Sequence, residues 1–164
     1  EDALIREIKE ELNITISIQE KIAEETYLNV ISNNCRGKRL LELGCGTGDN
    51  LEIFHNFGAS ITGIDISIEG INKANQKIDG TKLNANYLVM NAEDTEFGNN
   101  AFDIVVGTGI IHHLDLRTIY LEISRLLNNN GHAVFIEPLG HNPIINLYRN
   151  IGSVDVDEAR SLRG

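Results

Sequence analysis

The stretch of the chain that could do chemistry is "LELGCGTGD", residues 41–49, a glycine-rich turn with an acid on each side. Gly44, Gly46 and Gly48 alternate through the turn, behind a run from Lys38 to Leu43 and ahead of Asp49. Glycines at such a place let backbone amides approach a ligand with no Cβ in the way. The N-terminus of a following helix is a ready site for an anion. A dinucleotide fingerprint, however, is spaced G-x-G-x-x-G. Here the spacing is G-x-G-x-G, and Asp49 stands where the third glycine would be. Its charge already occupies the positive helix end, and Glu42 adds a second negative charge at the end of the strand. Two acids in those places repel phosphate and attract a cation.

The elements around the turn must present it to a ligand. From Lys38 onward the pattern is strand, turn, helix, repeated. Nearly continuous apolar runs at Arg39–Leu43, Ser60–Ile66, Ala85–Met90, Phe102–Val106 and His132–Glu137 predict strands covered on both faces. Helices are expected at Asn50–Phe57, closed by Gly58, and from an N-cap at Ser67 to Asp79, closed by Gly80. Another is marked by Leu116, Ile119, Ile123 and Leu126, before an Asn128–Gly131 turn. Upstream, Leu4, Ile8 and Leu12 give a short amphipathic helix, and a second starts near Ser17 with Ile18, Ile22 and Ile31. Alternating strands and helices imply an α/β fold with a doubly wound, mainly parallel sheet. Ligands on such sheets lie outside the carboxyl ends of the strands. The informative positions are therefore Glu42–Gly48, Asp65, Asn91–Glu93, Gly107–His113 and Glu137. S-adenosylmethionine carries an ammonium and a sulfonium and no phosphate, so it suits the acid-flanked turn.

Bulk properties narrow the partners. The chain has 164 residues and a formal net charge of −10, which argues against nucleic acid or an anionic membrane as the main partner. No apolar run approaches the ~20 residues of a membrane span. "EDALIREIKEEL" is acidic where a signal peptide would be basic. Two cysteines, Cys35 and Cys45, suggest no disulfide framework and suit a reducing cytoplasm. Neither they nor the five histidines show metal-ligand spacing, so no metal site is expected.

Four motifs in order, "LLELGCGTGDNL", "ITGIDIS", "MNAEDTEF" and "FDIVVGTGIIHHL", resemble the class I S-adenosylmethionine-dependent methyltransferases, in particular the small-molecule type with "HHL" after the fourth strand. The likeness covers roughly residues 38 to 140 and implies a Rossmann-like methyltransferase fold. It implies that Glu42, Gly44, Cys45 and Gly46 line the methionine and ribose end of the cofactor. Asp65 would take the ribose hydroxyls and Ile66 would pack on adenine. Ala92 would offer its backbone amide to the adenine ring and Asn91, where the family often has Asp, would face the exocyclic amine. Glu93 completes that set, though with Asp94 it reads on its own as a solvated loop. Gly107 would give its carbonyl to the methionine ammonium, with Ile111 and His112 below. His112 and His113 are the candidates for acid–base help, with packing or cofactor contact the favoured role. Cys45 reads as a small side chain rather than a nucleophile.

The resulting organisation is residues 1–36 as N-terminal helices, either a lid or a packed flank, 37–140 as the cofactor-binding core, and 141–164 as a partial C-terminal segment. The family usually completes its sheet with an antiparallel hairpin. "PLGHNPIINLYRNI" reads as a helix instead, so the expected sheet lacks that hairpin. The expected activity is in-line methyl transfer to a small-molecule acceptor. A catalytically incomplete binding module and an NAD(P)-binding oxidoreductase domain are the alternatives.

Overall fold

A computed structural model of the chain describes residues 23–137, and the readings of the helix at Leu4–Leu12, of the start of the second helix and of everything after Glu137 fall outside them. Five strands form one sheet: β1 (Arg39–Leu43), β2 (Ser60–Asp65), β3 (Ala85–Val89), β4 (Phe102–Thr108) and β5 (Leu127–Ile136). Every pairing is parallel and the order is β3-β2-β1-β4-β5. The chain steps outward from β1 to β3, then crosses back to lay β4 on the other side of β1. The switch point of the sheet is the gap between the carboxyl ends of β1 and β4, directly above Glu42.

Helices cover both faces. Residues 23–34 form helix α1, followed by α2 (Leu51–Asn56), α3 (Ile68–Ile78) and α4 (Leu116–Leu126). Side chains of a strand alternate between faces, which divides the core in two. Leu40 of β1 joins Ile104 and Val106 of β4 with Tyr27, Ile31 and Cys35 at the α1 end of the sheet, and Leu51, Phe54, Ile71 and Ala74 of α2 and α3. Leu41 and Leu43 point the other way, onto Ile119, Ile123 and Leu126 of α4. Residues 23–34 are thus built into the core through a four-residue repeat at positions 27, 31 and 35.

Helix ends follow their residue chemistry. The Ser67 hydroxyl accepts from Gly70 N at 3.1 Å, and the Asp115 carboxylate accepts from Thr118 N at 2.8 Å. Gly58 and Gly80 take the left-handed backbone that ends their helices, with φ of 83° and 70°. The end of α4 differs from expectation. The helix passes straight into β5 at Leu127, and the pairing with β4 jumps from Phe102↔Leu127 to Ile104↔His132. Residues 128–131 bulge out of the strand because Asn128 turns its amide to the Asp103 carboxylate and its carbonyl oxygen to Asn130 N.

Candidate functional site

The glycine turn begins where β1 ends. Cys45 N donates to Ile64 O of β2 at 3.0 Å, and Gly48 N closes the turn on Cys45 O at 2.9 Å. Gly44, Gly46 and Gly48 all have positive φ, at 67°, 53° and 71°, a backbone that L side chains rarely adopt. Around Gly46 nothing lies within 4 Å of where a Cβ would sit, so this part of the turn faces open space. Its other side is tightly packed: a Cβ on Gly63 would fall 2.4 Å from the Tyr87 ring, and one on Gly70 would fall 2.9 Å from Gly46 O.

Asp65, at the end of β2, holds the turn from the side. Its Oδ2 accepts from Gly46 N at 2.9 Å and its Oδ1 from Ser67 N at 2.8 Å. A carboxylate has about four lone-pair sites, so two stay available for a ligand after these bonds. Ile66 beside it is 77% exposed, an apolar side chain with its face bare. At the end of β3, Asn91 is exposed and its Oδ1 accepts from Glu93 N at 3.0 Å, while Ala92 is buried. Glu93 reaches across to Asp115 N at 2.5 Å, tying this loop to the start of α4.

The two acids that flank the turn behave differently. Asp49 lies on the surface, where Lys77 Nζ sits 2.5 Å from Oδ1 and the Thr47 hydroxyl donates to Oδ2. Those bonds, Lys77 foremost, hold its carboxyl below the usual range. The helix behind the turn starts at Leu51, with Asn50 as its cap residue. The expected picture of Asp49 charging a helix end over the ligand is therefore corrected: its charge is spent on Lys77 of α3. Glu42 is the acid that matters inside. It is 3% exposed; Oε1 accepts from Asn50 Nδ2 at 2.6 Å, and Oε2 is buried with no partner among the described residues. Burial pushes its carboxyl up to about 7, against the hydrogen bond from Asn50 and with help from the Asp49 charge. A buried carboxylate oxygen without a donor is costly, and an ammonium group is the donor that suits it best. Together with the open face at Gly46, the residues present fit a cationic ligand lying across the turn.

Cys45 is 6% exposed, and burial, with the charges of Glu42 and Asp65, pushes its thiol up to about 12, which leaves no nucleophile there.

Beyond β4 the chain makes a short 3-10 turn, Ile111–His113. Glu137, at the end of β5, organises it. Oε1 accepts from Ile110 N at 3.0 Å and Ile111 N at 2.9 Å, and Oε2 lies 2.6 Å from His112 Nδ1. A carboxylate only accepts, so Nδ1 carries the proton and Nε2 presents a lone pair when the ring is neutral. The His113 ring lies 4.0 Å from that of His112, tilted by 42°. Gly107 is enclosed: a Cβ would meet Ile110 Cγ2 at 2.6 Å and the Phe135 ring at 2.8 Å.

The residues expected to hold the cofactor thus lie at the carboxyl ends of β1 to β4, with Glu137 at the end of β5 beside them. Three neighbours escaped sequence reasoning. Asn50 holds Glu42, Lys77 removes Asp49, and Tyr27 brings a buried hydroxyl to the same end of the sheet. Tyr27 alone left a signal, the four-residue repeat with Ile31 and Cys35. A separate groove of about 440 Å³ opens at the opposite end of the sheet, between Lys38, Asp103, Asn128 and His132. Its Asp103 is already engaged by Arg39 and Asn128. Among the described residues there is no cluster of three or more metal-ligating side chains and no helix long and apolar enough to cross a membrane.

Residues 41–135 match a family model described as a methyltransferase domain. A ubiquinone biosynthesis O-methyltransferase of Pelagibacter ubique is 31% identical over 123 residues, 74% of this chain and 50% of that protein. An uncharacterised protein of Methanocaldococcus jannaschii is 30% identical over 135 residues, 78% of this chain and 50% of that protein. A solved S-adenosylmethionine-dependent methyltransferase from Mesorhizobium loti superposes with a TM-score of 0.61 at 25% identity, covering 69% of this chain and 52% of the other. The chain spans about half the length of the curated relatives it matches.

Proposed function

The chain belongs to the class I S-adenosylmethionine-dependent methyltransferases, and from that premise we propose that it binds this cofactor across the glycine turn and methylates a small-molecule acceptor. The observation that carries the proposal is Glu42: a carboxylate sealed beneath an open glycine turn, with one oxygen that has no donor among the described residues. When bound, S-adenosylmethionine supplies a methyl carbon already activated on a sulfonium for in-line displacement by the acceptor.

The chain's own residues are assigned as follows. Glu42 and the Gly44–Cys45–Gly46 backbone hold the methionine and ribose end, and Gly107 offers its carbonyl to the ammonium. Asp65 takes the ribose hydroxyls with the lone pairs left over from Gly46 and Ser67. Ile66 covers one face of adenine; Asn91, Ala92 and Glu93 border its edge. This chemistry needs donor and acceptor held in line in a dry site more than it needs acid–base groups. Where an acceptor must lose a proton, His112 would receive it at Nε2, with Glu137 fixing the ring through Nδ1. The acceptor pocket is assigned over the ends of β4 and β5, near His112, His113 and Glu137. The ubiquinone biosynthesis O-methyltransferase relative supports a small-molecule acceptor, and the acidic charge argues against nucleic acid or an anionic membrane as the main partner. The two free, buried thiols support a cytoplasmic setting.

Thermal-shift titration with S-adenosylmethionine, S-adenosylhomocysteine and NAD, side by side, tests the proposal. Stabilisation by the two sulfur nucleosides, with none by NAD, is expected. Stabilisation by NAD in their place would overturn it.

A further inference from the structure

Helix α1 carries a side chain toward the cleft that no motif points to. Its inward residues repeat every fourth position at Tyr27, Ile31 and Cys35, and all three are buried. Eight residues of helix span ~12 Å. Along β4, the residues on the same face of the sheet are Ile104, Val106 and Thr108, and four residues of strand span ~13 Å. The helix enters β1 through residues 35–38, so it runs against the strands. Cys35 therefore lies at the amino end of the sheet, where its thiol contacts Phe57 O, and Tyr27 arrives at the carboxyl end beside Thr108.

That end of the face is the switch point. Glu42 lies on β1 in register with Val106, two residues before Thr108 and on the same side of the sheet. The Tyr27 ring is 7% exposed, and its hydroxyl has no hydrogen-bond partner among the described residues. Burial pushes the phenol's pKa up to about 12, with the Thr108 side chain acting to lower it and the Glu42 charge to raise it, yet neither Thr108 nor Glu42 closes a hydrogen bond of good geometry. Two buried side chains thus arrive at one spot from two elements, each with a polar atom left over: a hydroxyl that can donate and a carboxylate oxygen that can only accept. Leaving both unpaired is costly, and one zwitterion satisfies both.

We infer that Tyr27 is a cofactor-binding residue: its hydroxyl donates to the carboxylate of the ligand's amino-acid end, while Glu42 Oε2 takes the ammonium of that same end. The inference rests on the cofactor reading above and extends it to α1, which becomes part of the site rather than a flank of the sheet. It also makes the amino-acid end, and not the nucleoside, the part of the ligand that Tyr27 discriminates.

Calorimetry on the wild type and Tyr27→Phe tests it, with S-adenosylhomocysteine and 5′-methylthioadenosine as probes. The second probe keeps the nucleoside and sulfur but has no amino acid. Tyr27→Phe should bind S-adenosylhomocysteine about tenfold more weakly, as expected for one lost hydrogen bond to a charged group. It should bind methylthioadenosine as the wild type does. The ligand-free variant should melt at the same temperature or higher, because an unpaired buried hydroxyl has been removed, whereas a tyrosine with a purely structural hydrogen bond would melt lower. Unchanged affinity for S-adenosylhomocysteine, or equal weakening for both probes, overturns the inference and leaves the cofactor reading standing. A wild type that binds neither probe overturns both.

Discussion

Asp65→Asn removes one formal charge and almost no volume from the joint between the glycine turn and β2. The wild-type carboxylate accepts two backbone N–H groups, Gly46 N at 2.9 Å and Ser67 N at 2.8 Å, through different oxygens. Asparagine has a single acceptor oxygen, so one N–H keeps a partner and the other faces an NH2 group. Hydrogen bonds to a charged group contribute about 1.5–3 kcal/mol each. The site is half-exposed, so water replaces part of the loss, and a destabilisation of about 1–2 kcal/mol is expected. For a domain of this size that is a fall of roughly 2–8 °C in melting temperature. The effect on ligand binding should be larger. The turn must hold three glycines at positive φ, and the lone pairs assigned to the ribose belong to the same carboxylate. Loss of one charged contact corresponds to about 10- to 150-fold in affinity. Urea unfolding gives the first quantity and calorimetry with S-adenosylhomocysteine the second. A variant that loses stability while keeping wild-type affinity would make Asp65 a staple of the turn and nothing more. A variant unchanged in both would refute the reasoning altogether.

Glu42 sets a pH dependence of known sign. Its carboxyl is raised from 4.5 to about 7 in the folded chain, so its contribution is fully present below about 4.5 and is lost as pH rises to about 7, a change of at most ~3 kcal/mol. The difference in unfolding free energy between wild type and Glu42→Gln, followed across that range, should fall with pH; a flat difference would mean the carboxylate is solvated. Gly107→Ala should cost about 1–3 kcal/mol by overpacking, because its Cβ would meet Ile110 and Phe135 at 2.6 and 2.8 Å; a melting temperature equal to wild type would show that both side chains can move aside.

Most of the frame was legible because its signals are local. The strands announce themselves as apolar runs, and β1 occupies Arg39–Leu43 as read. Ser67 caps α3 as its side chain dictates. That the sheet is parallel follows from the alternation of elements, while the strand order is given by the fold. The strand ends then select the candidate site, since ligands on such sheets bind outside the carboxyl ends of the strands, where Glu42, Asp65, Asn91 and Gly107 lie. What was hidden depends on side chains meeting across the fold. Nothing in "NNNG" says that Asn128 will prefer Asp103, 25 residues away, and so turn a loop into a bulge within β5. Nothing near Glu137 announces that its carboxylate will collect two backbone amides and a histidine from the turn after β4.

The charges around the turn show the same division. In the sequence, Glu42 and Asp49 are two equivalent acids seven residues apart. In the fold, Lys77 from α3 takes one of them onto the surface, while Asn50 holds the other half-satisfied in the core. A fully exposed acid next to a lysine attracts a ligand weakly, because water screens it. A buried carboxylate near its neutral point acts at short range: a cation placed against Oε2 lowers its pKa, and the interaction strengthens in the low dielectric around it. The cation preference first argued from two acids therefore rests on one. It gains selectivity in the exchange, since phosphate would have to approach a carboxylate that cannot turn away.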